Sequence, residues 1–243
     1  MQKIKDYFKE WTLFEIALTV FSLVVIVTVS IVFQSWWAET LVAVISIIYY
    51  MLYSKGKIEA NIFAIIAGVF YAWVAWSHSY YGESIEAIAV EIPIAILCLV
   101  FWTRRGNNQK DQRFGKVIKF NKPGVGELVA VVFVTTLIGV GAYFGLRAMN
   151  TTFLIVSTIS VCASVAANYL SLRRSTLNWY SWLLNDATQI ALWTYIVATT
   201  SISTMPVLVS IIILHIINVY GFINWVRLER RQSNLAKSDI IVE

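Results

Sequence analysis

The sequence predicts an all-α membrane protein with eight transmembrane helices. Three observations carry that prediction. First, the 243 residues are 58% hydrophobic and only 14% charged, with a mean hydropathy of +0.70, which is too little charge to cover a soluble domain of this length. Second, the chain divides into eight long apolar runs separated by short polar breaks, and about 20 helical residues suffice to cross roughly 30 Å of hydrocarbon. Third, assigning the breaks alternately to two sides of a bilayer places every Lys and Arg except Arg147 on one side. That bias turns both termini and every basic loop toward the cytoplasm.

The predicted spans run Leu13–Phe33, Thr40–Tyr53, Ile58–Ser77, Ser84–Trp102, Glu127–Leu146, Thr152–Leu172, Trp179–Thr199 and Met205–Trp225. The first follows a polar lead and is not followed by a small-residue cleavage site, so it reads as an anchor. The second is short for a span. The third contains Gly68, which permits a close neighbour. The fourth carries Glu86 and Glu91 and then Pro93, which frees a carbonyl of the preceding turn and can bend the helix as a hinge; a proline near a helix start is also common. The fifth holds Gly141 and Gly145, a small-xxx-small pair suited to helix packing. Cys98 and Cys162 fall inside spans, and without nearby histidines they make neither a disulfide nor a metal site. Between the fourth and fifth spans lies the longest break, Thr103–Gly126, with seven basic residues. It lacks the apolar periodicity of a soluble domain and reads as a cytoplasmic connector. The +5 net charge sits at span ends, where anionic head groups attract it, and is not a nucleic-acid signal. Trp36, Trp37, Tyr80, Tyr81, Trp102 and Trp225 near span ends read as interfacial anchors.

A faint internal repeat relates spans two to four with spans six to eight. Trp73 and Trp193 are 120 residues apart, and Trp102 and Trp225 are 123 apart. One span separates the triplets, so they start on the same side and form parallel repeats about an axis along the membrane normal. The predicted organisation is an extra N-terminal helix over residues 1–37, a first triple-helix repeat over 38–102, a connector and linker helix over 103–151, a second repeat over 152–231, and a flexible cytoplasmic tail over 232–243. This is a 3+1+3 core preceded by one helix.

The stretch Trp179–Tyr180–Ser181–Trp182–Leu183–Leu184–Asn185–Asp186, with Gln189 and Trp193 downstream, and the closing Asn218–Val219–Tyr220–Gly221–Phe222–Ile223–Asn224–Trp225 resemble the PnuC family of vitamin and nucleoside-precursor transporters. Tyr71, Tyr81–Gly82 and Phe101–Trp102 fit the family more loosely. The resemblance covers most of the chain after the first span. It implies an architecture similar to the SWEET sugar facilitators and a place in the bacterial plasma membrane. It also implies nicotinamide riboside as the first substrate, with thiamine, riboflavin or a deoxynucleoside as alternatives, and trapping of the substrate by a cytoplasmic kinase. A carrier of this size is expected to form a homo-oligomer among its membrane lipids.

The residues themselves offer a site for such a ligand. Trp182, Asn185, Gln189 and Trp193 are spaced by three, four and four residues and line one face of the seventh span, with Asp186 beside them. Amides at membrane depth must face protein or a wet cavity. They supply donors and acceptors for a ribose or a carboxamide, and a flanking indole offers a flat face to a heteroaromatic ring, more so to a cationic one. Polar side chains also join helices to each other without binding anything. Asp186 reads as a counter-charge, a proton site, a neutral acid, or a group satisfied by its neighbours. In the eighth span His215, Asn218, Phe222 and Trp225 share a face, Asn218 being a second contact candidate and His215 either pore-lining or a cross-helix bond. Tyr71 in the third span, the pseudo-symmetric partner of the seventh, completes the expected binding set, with Pro93 and Glu91 as the expected hinge.

The sequence calls for no cofactor. It holds no G-x-x-x-x-G-K-[ST] for nucleotide-driven pumping and no H-E-x-x-H or G-x-S-x-G for hydrolysis. Two rival classes remain at this stage. A membrane enzyme would use Asp186, Glu91 or His215 as a base, but parallel repeats suit alternating access better than one-sided chemistry. A ligand-sensing subunit would need a docking surface, for which the connector is the only candidate.

Overall fold

The computed structural model describes residues 11–77, 84, 86–106, 118–149, 153–199 and 202–242. Tyr80, Tyr81–Gly82 and the middle of the connector lie outside these residues. The described chain forms eight long helices. They are α1 (Leu13–Val32), α2 (Trp37–Ser54), α3 (Ala60–Ser77), α4 (a π turn Ala87–Glu91 running into Ile92–Gly106), α5 (Val125–Ala148), α6 (Leu154–Leu172), α7 (Asn178–Thr199) and α8 (Met205–Val242), the last entered through a 3-10 turn at Ile202–Thr204. All of these except α7 contain a stretch long and apolar enough to cross a membrane.

Two of the observed ends change the reading of the expected spans. The second helix begins at Trp37 rather than Thr40 and is 18 residues long, so it is not a short span. The last does not stop at Trp225 but continues to Val242, 38 residues in all. At 1.5 Å per residue that is about 57 Å, well beyond a hydrocarbon core. Its polar final turns are filled with the good helix formers Leu, Glu, Arg, Gln and Lys.

α2–α3–α4 and α6–α7–α8 each pack in sequence, and the two sets meet where α2 lies against α8 and α4 against α6. α1 rests on α2 and α8, and α5 rests on α6. The turns after α2 and α6 are built alike. Lys57 N–H donates to the Leu52 carbonyl at 3.1 Å, and Ser175 N–H donates to the Leu170 carbonyl at 3.0 Å. The left-handed residue needed to close each turn is Gly56 (φ 64°) in one and Arg174 (φ 58°) in the other.

The basic turns converge at one end of the bundle, where the end of the connector straps them together. Ile118 N–H donates to the Gly56 carbonyl and Asn121 N–H to the Arg174 carbonyl, each at 3.1 Å. Gln232 of α8 holds the strap from the other side, accepting from Phe120 N–H at 3.2 Å and donating to the Ile118 carbonyl at 2.9 Å. The connector therefore does more than link two spans. Beneath it lies the core of this end, in which Tyr53, Trp102, Trp179 and Trp225 pack together with Ile118. Trp102 and Trp225 are 1% and 0% exposed, so they are core residues and not interfacial anchors. Trp225 Nε1 donates to the Tyr53 carbonyl at 2.8 Å and Asn224 Nδ2 to the Ser54 carbonyl at 3.0 Å. These are carbonyls that the end of α2 leaves without an intrahelical donor. Gly221 is where α8 meets Trp179: a Cβ there would lie 2.7 Å from the indole Cζ2. Gly141 and Gly145 face open space, and Gly139 is the glycine of α5 that meets α6, at Cys162.

α1 is joined to this end by charge. Thr12 and Glu15 form a reciprocal capping box. The Glu15 carboxylate also accepts from Lys55 Nζ at 2.7 Å and from Tyr220 OH at 2.6 Å. Lys55 Nζ lies 5.1 Å from the centre of the Trp11 ring. The Lys55 and Glu15 side chains are 9% and 3% exposed. Lys55 is therefore a buried partner of α1 as well as a loop charge.

Candidate functional site

Polar groups at mid-height of the bundle gather around α7. Its stripe is divided between two neighbours. On one side Asn185 and Gln189 meet α6: Ser160 Oγ donates to Asn185 Oδ1 at 2.6 Å, and Gln189 Nε2 donates to Ser160 Oγ at 2.9 Å. On the other side Asp186 meets α8: Asn218 Nδ2 donates to Asp186 Oδ2 at 2.8 Å, and His215 Nδ1 lies 3.2 Å from the same oxygen. An ionised carboxylate only accepts, so His215 donates through Nδ1–H in that arrangement.

Helix geometry explains the division. Asn185 and Asp186 are adjacent and about 100° apart around the axis, so α7, wedged between α6 and α8, serves both neighbours. Asp186 is 7% exposed and Asn218 is fully buried. Asn218 Oδ1 has no hydrogen-bond partner among the described residues, which is unusual for a buried amide oxygen. His215 serves as a cross-helix bond to Asp186.

Trp182 is 8% exposed, and its ring meets Tyr50 of α2 edge-on at 6.5 Å. Tyr50 thereby joins α2 to α7 beside Trp182. Trp193 is eleven residues beyond Trp182, about 16 Å further along the helix axis. One flat ligand cannot stack on both. Tyr71 of α3 is 37% exposed and faces outward more than Trp182 or Asp186.

In α4 the backbone departs from α-geometry immediately before Pro93. Ile92 N–H bonds to the Ala87 carbonyl, five residues back, in a π turn that ends at Glu91. Proline cannot donate to the turn before it, and such π turns are frequent at functional sites. Among the described residues no group of three or more His, Cys, Asp and Glu could hold a metal ion.

Reading the sequence missed Tyr50 and the polar face of α6. Ser160, Ser164, Asn168 and Ser171 are spaced by four, four and three residues and are all buried. Ser164 Oγ donates to Glu86 Oε1 at 3.3 Å, and Asn168 Nδ2 to the Ser164 carbonyl at 3.0 Å. Ser171 Oγ accepts from Tyr53 OH at 2.7 Å and from Asn178 Nδ2 at 3.0 Å; Asn178 Nδ2 also bonds Tyr53 OH. The signal was present as a one-faced serine pattern in an apolar helix. Serine in a transmembrane span is ordinary, and only packing against α7, α2 and the start of α4 gives the pattern a purpose.

The sequence profile of the family described as Nicotinamide mononucleotide transporter matches residues 36–227. The chain is 23% identical over 234 residues to the Nicotinamide riboside transporter PnuC of Neisseria mucosa, covering 94% of this chain and 87% of that one. It is 24% identical over 230 residues to the Nicotinamide riboside transporter PnuC of Haemophilus influenzae, covering 93% and 96%. Its fold is similar to the crystal structure of the Vitamin B3 transporter PnuC, with a TM-score of 0.75 at 23% identity over 91% of this chain and 94% of that chain. These relatives are transporters rather than enzymes.

Proposed function

Given that the chain belongs to the nicotinamide mononucleotide transporter family, and is thus a multi-pass membrane transporter and not an enzyme, we propose that it carries nicotinamide riboside by facilitated diffusion. One observation supports this reading above the others. α7 is the long helix too polar to count among the apolar spans, and its polar groups are turned inward onto α6 and α8 beside a buried indole. A helix in lipid does not carry Asn185, Asp186 and Gln189 cheaply; binding a polar, ring-bearing solute gives them a use.

The site we propose has Trp182 as the ring-facing surface, Asn185, Gln189 and Asn218 as hydrogen-bonding groups, and Asp186 as the counter-charge to the pyridinium. The orphaned Asn218 Oδ1 favours this assignment. Trp193 and Tyr71 belong to the path and not to the same subsite. Passage would follow alternating closure between two parallel three-helix repeats of SWEET type, α2–α4 and α6–α8. The like-built turns at Gly56 and Arg174 and the paired contacts α2–α8 and α4–α6 favour that symmetry. The π turn that ends at Glu91, just ahead of Pro93, is its hinge. The strapped basic end faces the cytoplasm by the positive-inside rule, where a kinase would trap the substrate; the carrier would work as a homo-oligomer.

The direct test is uptake of labelled nicotinamide riboside into proteoliposomes. Saturable uptake, competed by unlabelled compound, is expected; uptake of another vitamin in its place would move the substrate. Asn185→Ala and Gln189→Ala should each weaken binding about tenfold, the loss of a hydrogen bond or two. Unchanged affinity in both would reject the site.

A further inference from the structure

We infer that Ser160 of α6 is a positioning residue that sets the two amides of α7 in opposite senses, and so selects a primary carboxamide over a carboxylate. This rests on the reading that Asn185 and Gln189 face the substrate.

A serine hydroxyl has one hydrogen to donate and lone pairs to accept with. Ser160 Oγ touches both amides: it donates to Asn185 Oδ1 at 2.6 Å and accepts from Gln189 Nε2 at 2.9 Å. Two amides bridged by one hydroxyl cannot both accept from it. Here the single hydroxyl proton lies on Asn185 Oδ1, and Gln189 turns its nitrogen to the Ser160 oxygen. What remains is therefore also opposite, the Asn185 NH2 edge as a donor and the Gln189 carbonyl as an acceptor. Rotating both amides by 180° exchanges the roles and still leaves one donor and one acceptor. Neither amide is locked by another side chain among the described residues, although the Thr188 hydroxyl bonds the Asn185 main-chain carbonyl at 2.7 Å. Ser160 is 7% exposed, so water does not readily replace it.

A donor beside an acceptor is the complement of a primary carboxamide, which offers one carbonyl and one NH2 side by side. A carboxylate offers acceptors only and would confront the Gln189 carbonyl with like partial charge. Asparagine and glutamine alone do not define this preference, because free amides turn to suit either ligand. The bridging hydroxyl removes that freedom before the ligand arrives, as preorganised polar sites require for discrimination.

The test measures binding of nicotinamide riboside and of its carboxylate analogue, nicotinic acid riboside, to the purified full-length protein in detergent. Wild type should bind the amide at least about tenfold tighter, as expected for a site with a fixed donor and acceptor. Equal affinity in wild type would overturn the inference without any variant being made. Ser160→Ala should lower the discrimination ratio toward one, because the amides can then turn, and Ser160→Thr, which keeps the hydroxyl, should retain it. A folded Ser160→Ala with wild-type discrimination would overturn the positioning role. If that happened while Asn185→Ala still weakened binding, the site reading would stand. If Asn185→Ala and Gln189→Ala were also silent, the site reading would fall as well.

Discussion

Asp186 illustrates how one side chain takes on meaning from its neighbours. On its own, an acidic residue in a span is a cost of about 2.5–3.5 kcal/mol on insertion scales. Here Asn218 Nδ2 and His215 Nδ1 both meet Oδ2, and in the proposed site the other carboxylate oxygen would meet the ligand. Asp186→Asn should lower affinity for a cationic ring about tenfold, equivalent to 1.4 kcal/mol, and leave a neutral nucleoside less affected; binding of the two ligands side by side would check this. The Lys55–Glu15 pair is a stability matter instead. Both groups are nearly out of solvent, so removing one strands the other. Lys55→Met should destabilise the protein by about 3–5 kcal/mol, and the double variant Lys55→Met with Glu15→Leu should regain most of that loss. Thermal unfolding in detergent would decide, and an additive double variant would exclude the pairing energy.

At the scale of elements, two contacts set how the helices approach and move. Gly221 brings α8 against the Trp179 ring. Gly221→Ala should cost about 1–3 kcal/mol by overpacking, read as a lower melting temperature, and Gly141→Ala, which meets open space, should not. The π turn Ala87–Glu91 places a weakened backbone at the start of α4. Pro93→Ala should let α-geometry return there, slowing uptake while leaving the dissociation constant of nicotinamide riboside near wild type; an equal change in both would argue against a hinge. The α4 proline was legible in the sequence as a break. The π turn was not, because which carbonyl the preceding turn recruits depends on how α4 packs on α3.

For the whole molecule, the arrangement of α2 against α8 and α4 against α6 makes a closed ring of six helices. α1 and α5 stand outside it. The strap Ile118–Asn121 spans the two like turns, bonding Gly56 in one half and Arg174 in the other. A reader of the sequence finds a basic linker without periodicity in that place, since hydrogen bonds to remote carbonyls leave no local pattern. The orientation is testable at this scale. Cysteines placed at Ser233 and at Gln34, in a background lacking Cys98 and Cys162, should label from opposite faces of intact cells, with Gln34 reached from outside. Labelling of Ser233→Cys from outside would invert the proposed topology.

Membrane crossing, the rough position of each helix and the polarity of α7 could all be read from the residues alone. Those are properties of composition, of charge bias along the chain and of 3.6-residue spacing, all of which act locally. The sequence also singled out Trp182, Asn185, Asp186, Gln189 and Asn218. Which of them meet was set by the folded arrangement of the helices. It sent Asn185 and Gln189 to Ser160 and Asp186 to Asn218, and took Trp102, Trp225 and Lys55 from the membrane edge into the interior. The physical reason is that a side chain's partner is fixed by the packing of helices far apart in sequence, and hydropathy records only that a residue must find one.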